Sequence, residues 1–409
     1  MVEPIVNFFV LIFQWIGRAI GWIVGILLWP FMLLGRWWGG RGWALKSIVG
    51  ALVIGFIAAY AYFFYVTQFW INFNPDYPAP KVAAAEQATS QRTLAGDPVG
   101  QPMGGTTTTA NAGTAAPAAS SQTQAQAEPA PSPAATPPAA QSCNRSAIAD
   151  VSAELIDFNV NQNPWISSML ASKLGFFGIP WRETPFFDNK AAFQLGINQV
   201  MRRTTTELVD TLGRIRGTSQ IDQNLQDART ALAWDEDAWY VGLRGPTRPT
   251  PSVYREAISK LHAFNDSLAK CTSTFDARAD NLQQFLDRIA SDIGSTSDIL
   301  RARLDSSNAG WFDPRADDRF WFAYGQLYAY YGILTAARQD FAGVVAERNL
   351  TAIWDRMQDQ LRISLNMQPA IISNGNESSA IFPSHLATMG FYLLRVRSQL
   401  IEVRQILDR

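Results

Sequence analysis

Apolar and polar positions divide the chain into three stretches. Residues 4–35 are apolar with few interruptions, and a stretch without any charge follows from 47 to 75. About 20 apolar residues are enough to cross the hydrocarbon core of a bilayer as a helix. We therefore predict a transmembrane helix over 47–75. From 143 to 409 polar and apolar residues alternate at helical spacing, and runs of β-branched residues are scarce, which predicts an α-helical domain.

The spacing of apolar residues divides this C-terminal region into separate helices. They are predicted at 145–158, 165–176, 188–216, 219–235, 252–270, 276–294, 297–306, 314–346, 348–364 and 385–407. The expected fold class is all-α, with an N-terminal membrane helix or helical hairpin, a disordered linker and a multi-helix domain.

A linker of unusual composition is predicted at 76–142. Residues 78–141 hold 10 of the 22 prolines, and Ala, Thr, Gln, Gly and Ser surround them. Such a segment buries too little apolar surface to offset the entropy lost on ordering, so we expect it to be disordered. As a flexible coil it would span roughly 40–50 Å, enough to hold the domain away from the bilayer.

Basic residues before the predicted membrane helix indicate its orientation. Arg36, Arg41 and Lys46 precede the helix closely. The positive-inside rule places this cluster in the cytoplasm and everything after Asp76 on the other side. The expected location is the inner membrane of a bacterium, with the domain in the periplasm and the lipid bilayer as the first partner.

Small residues recur at intervals of four in both apolar segments. One stripe is Gly17, Gly21 and Gly25, and the other is Ala51, Gly55 and Ala59. Such stripes allow two helices to pack closely in lipid. In one interpretation residues 1–46 span the membrane and the two stripes pack as a hairpin. In the other they lie in the cytoplasmic interface, with Arg18 reaching the headgroups.

Charge and rare residues limit the chemistry open to the chain. The formal net charge of -1 gives no support for nucleic-acid binding. With two histidines, and neither a CxxC nor an HExxH motif, we expect no metal site and no cofactor. Cys143 and Cys271 both fall in the predicted periplasmic domain, where they could form a disulfide or remain apart.

Candidate catalytic groups are few. Glu377, in a turn-rich loop, is a weak candidate for a general acid in glycan cleavage. Ser384, next to His385, is interpreted as the N-cap of the last helix and not as a nucleophile.

Aromatic residues concentrate around one predicted helix. Tyr324 and Tyr328 fall on one stripe of that helix, with Trp311 and Trp321 nearby. They are interpreted as core, or alternatively as an exposed surface for a sugar or a partner.

A short motif occurs twice, as FDARAD at 275–280 and FDPRAD at 312–317. In each copy the first aspartate (Asp276, Asp313) is predicted to cap a helix, and the second (Asp280, Asp317) to lie in its first turn. A related start at Asp188 suggests an internal duplication with an offset of 125 residues, pairing Asp188 with Asp313.

Five segments of the chain carry a family resemblance. They are FFDNKAAFQLG (186–196), FDARADNLQQFL (275–286), WFDPRADDRFWFAYGQLYAYYG (311–332), IISNGNES (371–378) and PSHLATMGFYLLR (383–395). Together they resemble the bacterial domain-of-unknown-function family 2333. The resemblance implies an envelope protein anchored near its N-terminus, and it implies no activity, substrate or catalytic residue.

These observations favour a non-enzymatic protein. We expect a membrane-anchored scaffold or accessory subunit of a cell-envelope complex, with other membrane or envelope proteins, or further copies of the chain, as partners. The alternatives are a peptidoglycan-binding or glycan-cleaving protein and a lipid-handling domain.

Overall fold

The computed structural model forms two compact units, Met1–Tyr65 and Val66–Arg409. The residues that it describes are 15, 22, 29, 42–78, 143–176, 179–181, 184, 187–214, 221–242, 245–306, 313–375 and 383–409. Most of the predicted linker, from 79 to 142, is outside this set.

Helix α1, Trp43–Gln68, carries the apolar run. Among the described residues it is the helix that is long and apolar enough to cross a membrane, with a mean hydropathy of 2.1 in its most apolar window. Most of its apolar side chains are exposed, as Leu52 shows at 67%. The predicted end at residue 75 is wrong, because α1 stops at Gln68 and the remaining uncharged residues form turns.

The second unit is helical, which confirms the all-α expectation. Its described helices are α2 Ala147–Asp157, α3 Leu170–Leu174, α4 Asn189–Glu207, α5 Gln223–Leu232, α6 Thr250–Ala269, α7 Ala279–Ser306, α8 Ala316–Asp340, α9 Ala342–Glu347, α10 Thr351–Leu365 and α11 His385–Leu407. Single π-helical turns extend α2 and α4, at Phe158–Gln162 and Leu208–Leu212. A two-stranded antiparallel hairpin joins β1, Val241–Gly242, to β2, Gly245–Pro246.

Helix α8 is the central element of this unit. Buried side chains surround it on all sides, and it contacts α2, α4, α7, α10 and α11. A helix that is apolar all round must be enclosed by others, and this burial explains the aromatic and alanine-rich sequence of α8. The other large helix pair is α7 with α11, and α6 packs on both α2 and α5.

Several predicted helix boundaries differ from the structure. The two helices expected at 276–294 and 297–306 are one helix, α7, because Gly294 makes room for the Arg397 side chain of α11 without a break. The helix expected over 165–176 is reduced to a 3₁₀ turn and the short α3. The Ser384 prediction is confirmed, since the Ser384 hydroxyl accepts a hydrogen bond from the Ala387 amide.

Helices α4 and α8 cross at Gly196 and Gly325, and each glycine lies directly against the backbone of the other helix. A Cβ at Gly196 would overlap the Phe322 carbonyl, and a Cβ at Gly325 would overlap the Phe193 carbonyl. Each glycine closes a Phe-x-x-Gly motif, and each lies eight residues after a buried aspartate, Asp188 or Asp317. The two sides of this crossing are therefore related by an offset of 129 residues. The predicted offset of 125, which paired Asp188 with Asp313, does not relate them.

The start of the folded chain after residue 142 is held by two kinds of contact. A disulfide joins Cys143 to Cys271, whose Cα atoms are 5.1 Å apart. The Asp340 carboxylate, at the end of α8, accepts hydrogen bonds from the Ala147 and Ile148 amides at 2.7 and 3.0 Å. It therefore satisfies orphan donors in the first turn of α2, while burial raises its pKa to about 6.

The glycine crossing gives a direct test of the fold. Gly325→Ala is expected to lower the free energy of unfolding by about 3 kcal/mol, because the new methyl group must displace the α4 backbone. Gly343→Ala is the matched control, since nothing lies within 4 Å of a Cβ there. Thermal and denaturant unfolding of the full chain in detergent micelles would measure both, and equal effects would contradict the proposed crossing.

Candidate functional site

Residues 69–78, which directly follow α1, pack into the helical domain through their aromatic side chains. We call them the junction segment. The Trp70 ring stacks on Phe193 with ring centroids 4.7 Å apart, and it meets Trp321 edge-on at 5.1 Å. Phe73 and Tyr77 both stack on Tyr328, at 5.6 and 4.4 Å. The junction segment thereby fills the groove between α4 and α8.

Polar contacts fix the position of the same segment. Lys190, in the first turn of α4, donates to the carbonyls of Val66 and Phe69, both at 2.9 Å. The Asn163 amide pairs with the backbone of Ile71, accepting from its N–H at 3.0 Å and donating to its carbonyl at 2.9 Å.

Lys190 supplies hydrogen-bond donors and a positive charge at the C-terminal end of α1. The last carbonyls of a helix have no partner within it, and a cation there complements the helix dipole. The Lys190 side chain is 2% exposed, and burial lowers its pKa to about 8. A buried lysine on two carbonyls is therefore the main polar contact that fixes the start of the domain.

The aromatic surface suggested by the sequence is covered by the chain itself. Tyr324 and Tyr328 are buried, and Trp321 is half-buried against Trp70. The core interpretation is correct for Tyr324 and Tyr328, and the interpretation as an exposed ligand surface is wrong for them. Trp311 lies outside the described residues.

The domain boundary also differs from the expected one. The sequence places the domain at 143–409 and assigns 76–142 to a tether, yet Val66 already belongs to the same compact unit as Arg409. Tyr77 donates to the Tyr328 carbonyl at 3.1 Å, which holds the residue just before the proline-rich stretch on α8. That stretch therefore connects two parts of one unit.

A glycine on α8 makes room for Tyr77. A Cβ at Gly332 would overlap the Tyr77 hydroxyl and would lie 2.8 Å from its Cζ atom. Burial raises the pKa of Tyr77 well above its ordinary value, so the hydroxyl stays protonated and remains a donor.

Three carboxyl groups meet where the N-termini of α4 and α8 converge. Asp188 directly precedes α4, and Asp317 and Asp318 lie in the first turn of α8. Both side-chain oxygens of Asp188 and of Asp317 are buried. Burial, together with the Asp318 charge, raises the pKa of both groups, so this cluster retains protons at neutral pH.

A cavity of about 720 Å³ adjoins the acid cluster. Asp188, Asp318 and Asp237 supply its carboxyl groups, and Lys173, Arg315 and Arg319 supply its cations. Its apolar lining includes Ile166, Trp181, Phe187, Leu195 and Phe322. Buried acids with raised pKa values beside a cavity are typical of functional sites.

The repeated motif functions differently from the predicted helix cap. Asp280 and Asp317 do lie in the first turns of α7 and α8. Asp276 and Asp313, however, precede those helices by three residues and pair with Arg278 and Arg303. The guanidinium of each arginine reaches both carboxylate oxygens, so this pairing is stronger than a single hydrogen bond from a helix N–H.

The remaining predicted site residues are only partly described. Ala51, Gly55 and Ala59 lie on α1, and a Cβ at Gly55 would meet nothing within 4 Å, so their packing partner stays a prediction. Lys46 lies in the first turns of α1. Gly17, Gly21, Gly25, Arg36, Arg41 and Glu377 lie outside the described residues. Within the described ranges no group of three or more His, Cys, Asp or Glu side chains is arranged to hold a metal ion.

Sequence reasoning missed Lys190 and the junction aromatics. Aromatic residues at the end of a membrane segment usually belong to an interfacial belt, so the position of Trp70 alone does not indicate that it packs into a domain. A signal was nevertheless present, because Tyr77 is the last aromatic residue before a long stretch without any.

Comparison with protein families gives one match. A family model described as an uncharacterized protein conserved in bacteria matches residues 180–311 and 305–409, which include α4, α8 and the acid cluster. No curated protein and no solved structure matches the chain.

The free energy of unfolding is expected to depend on pH through Lys190 at the junction. The folded pKa of Lys190 is about 8, against an ordinary value of 10.5, so the unfolded chain holds more protons between these values. Stability therefore rises with pH across that window, by up to about 3 kcal/mol. Lys190→Met is expected to remove this rise, while Lys270→Met, at an exposed lysine, retains it.

The measurement is thermal unfolding of the three full-length proteins in detergent micelles from pH 7 to 11. Other titrating groups cancel in the difference between wild type and variant. Parallel pH profiles for wild type and Lys190→Met would refute the assignment of a buried cation at the junction.

Proposed function

The chain belongs to the bacterial domain-of-unknown-function family 2333, and we propose that it is a membrane-anchored periplasmic scaffold or accessory subunit of a cell-envelope complex. Helix α1 would anchor it in the inner membrane. The helical domain would present a fixed surface to other envelope proteins or to further copies of the chain.

The docked junction is the observation that carries this proposal. Val66, in the last turn of α1, and Phe69 are both held by Lys190, and Trp70 is stacked in the domain within two residues of the helix end. The last residues of α1 therefore belong to the packing of the domain itself. Such a mount would suit a protein that holds a partner at the membrane.

The proposed orientation rests on charge and on the disulfide. Arg36, Arg41 and Lys46 precede α1, and the positive-inside rule assigns them to the cytoplasm. The Cys143–Cys271 bridge supports an oxidising compartment for the domain, as the bacterial periplasm is.

A glycan-directed function receives less support. The aromatic surface that favoured it is covered by Phe73 and Tyr77, which stack on Tyr328. Exposed apolar side chains on α11, Phe391 and Leu394, are instead available to a protein partner. These contacts favour an interaction role over glycan cleavage.

The topology has its own test. Alkaline phosphatase fused after Arg409 is expected to be active in cells, because the enzyme needs the oxidising side of the membrane to form its disulfides. A cytoplasmic reporter at the same position serves as the reciprocal control. An inactive phosphatase with an active cytoplasmic reporter would reverse the proposed orientation.

The scaffold role is tested by crosslinking in native membranes. The full chain at native expression, crosslinked and analysed by mass spectrometry, is expected to recover a defined envelope protein or a second copy. Gly332→Ala should reduce this recovery several-fold, because the new methyl group displaces Tyr77 and releases the junction. Gly343→Ala is the control and should behave as wild type.

Two outcomes would contradict the scaffold proposal. A monomer that crosslinks to nothing at native expression removes the role in a complex. Equal recovery of the partner by Gly332→Ala and Gly343→Ala removes the role of the rigid junction in presenting that partner.

A further inference from the structure

The cavity beside the first turns of α4 and α8 is large enough to hold a small organic molecule. Its volume is about 720 Å³, and sites that enclose small molecules have volumes of roughly 300–1,000 Å³. Residues near α3, the first turns of α4 and the first turns of α8 supply most of its described wall. Such sites are mostly apolar, with a few polar groups that orient the ligand, so both kinds of side chain decide what can bind here.

Three cationic side chains of this wall have no anionic partner in the described part of the chain. They are Lys173 of α3, Arg315 directly before α8, and Arg319 in the first turns of α8. All three are exposed, and none forms an ion pair or a side-chain hydrogen bond with another described residue. Arg303, by contrast, is paired with Asp313 before the same helix. The three cations of the cavity are therefore available to an anion from outside the protein.

The acidic groups of the cavity do not neutralise these cations. Burial, together with the charge of Asp318, raises the pKa of Asp188 to about 9, so Asp188 is uncharged at neutral pH. Asp237 and Asp318 take part in interactions of their own, and neither is paired with the three cations. The accessible part of the wall therefore keeps cationic groups that can bind an anion.

Arg315 and Arg319 do not stabilise the helix at which they lie. They are four residues apart, which places them on one face of the first turns of α8. The N-terminal end of a helix dipole is positive, so a cation there is unfavourable. A bound oxyanion would remove this repulsion, and guanidinium groups bind oxyanions through two parallel N–H donors.

The rest of the wall is apolar and partly aromatic. Trp181 is buried, and the centroid of its ring lies 4.8 Å from that of Phe187. Its indole N–H donates to the Ala171 carbonyl at 2.7 Å, so Trp181 offers the cavity an apolar ring and no free donor. Phe322 lines the cavity three residues after Arg319. An apolar surface and a cationic surface thus face the same volume.

We propose that this cavity binds a soluble organic phosphate, a small molecule whose apolar body carries a phosphate ester. The phosphate accepts hydrogen bonds from Arg315 and Arg319 and lies near the Lys173 ammonium group. The apolar body packs against Trp181 and Phe322. The inference goes beyond the scaffold role and does not rest on membrane anchorage, because every residue it uses lies within the helical unit.

A phosphate fits the charge of the wall better than a carboxylate does. A phosphate ester carries close to two negative charges at neutral pH, whereas a carboxylate carries one. Three cations on one wall leave positive charge unmatched when a single negative charge is bound. The volume of the cavity corresponds to a whole small molecule, which favours a soluble ligand over the headgroup of a diacyl lipid.

The test is calorimetric titration of the full chain, in micelles of an uncharged detergent near neutral pH, with 2-naphthyl phosphate. The heat of titration into micelles alone is subtracted. One probe molecule is expected to bind per chain, about tenfold or more tightly than inorganic phosphate or 2-naphthol, since each of these lacks one half of the probe. 2-Naphthoate tests the need for a second negative charge, and dihexanoyl phosphatidic acid tests a lipid source. Both are expected to bind more weakly.

Matched arginine variants assign the binding to the cavity. Arg315→Gln and Arg319→Gln should each weaken the binding of 2-naphthyl phosphate about tenfold, because each removes charge-assisted hydrogen bonds. Arg409→Gln, at an exposed arginine outside the cavity, should bind as wild type does. Circular dichroism and thermal unfolding of all three variants are expected to match wild type, because these side chains make no described polar contact.

The possible failures are distinguishable. Absence of saturable binding by 2-naphthyl phosphate overturns the site, and equal binding of 2-naphthol or of inorganic phosphate overturns its two-part character. Equal binding of 2-naphthoate overturns the assignment to a phosphate, and tighter binding of phosphatidic acid overturns the soluble source. Affinity unchanged in both cavity arginine variants overturns the assignment to this cavity. None of these outcomes affects the crosslinking result, so the scaffold proposal is tested separately.

Discussion

The contact between the junction segment and the groove of α4 and α8 is the interaction on which the rest of this structure depends. Trp70, Phe73 and Tyr77 bury large apolar rings, and aromatic rings contribute more to core burial than other side chains. Lys190 completes the contact at the helix end. Without this contact, α1 would be joined to the domain only by the turns of residues 69–78.

The groove itself follows from the crossing of α4 and α8. Gly196 and Gly325 let the two backbones touch, which brings the N-termini of both helices together. Asp188 and Asp317 are buried at that point because they belong to the converging first turns. One packing constraint thus creates both the groove that holds the junction and the acid cluster beside the cavity. A substitution at either glycine would affect both.

Local patterns in the sequence predicted more of the fold than of the site. Helical spacing identified most helices, and Ser384 was recognisable as an N-cap because capping involves residues three apart. The site depends on contacts across long separations, such as Tyr77 with Tyr328, and no local pattern encodes them. The burial of Lys190 was equally hidden, since an isolated lysine at a helix start is normally exposed. The sequence indicates Asp188 as a helix start, but its burial beside Asp317 and Asp318 depends on the packing of α8.

In this arrangement the proline-rich stretch between residues 78 and 143 has a different role from that of a tether. Its two ends are fixed within one unit, by Tyr77 on α8 and by the disulfide of Cys143 with Cys271. For a flexible connection, each doubling of length costs only about 0.6 kcal/mol of closure entropy, so a long insertion at this point is well tolerated. A tether would join this unit to a separate element, whereas the stretch begins after the unit has already started at Val66.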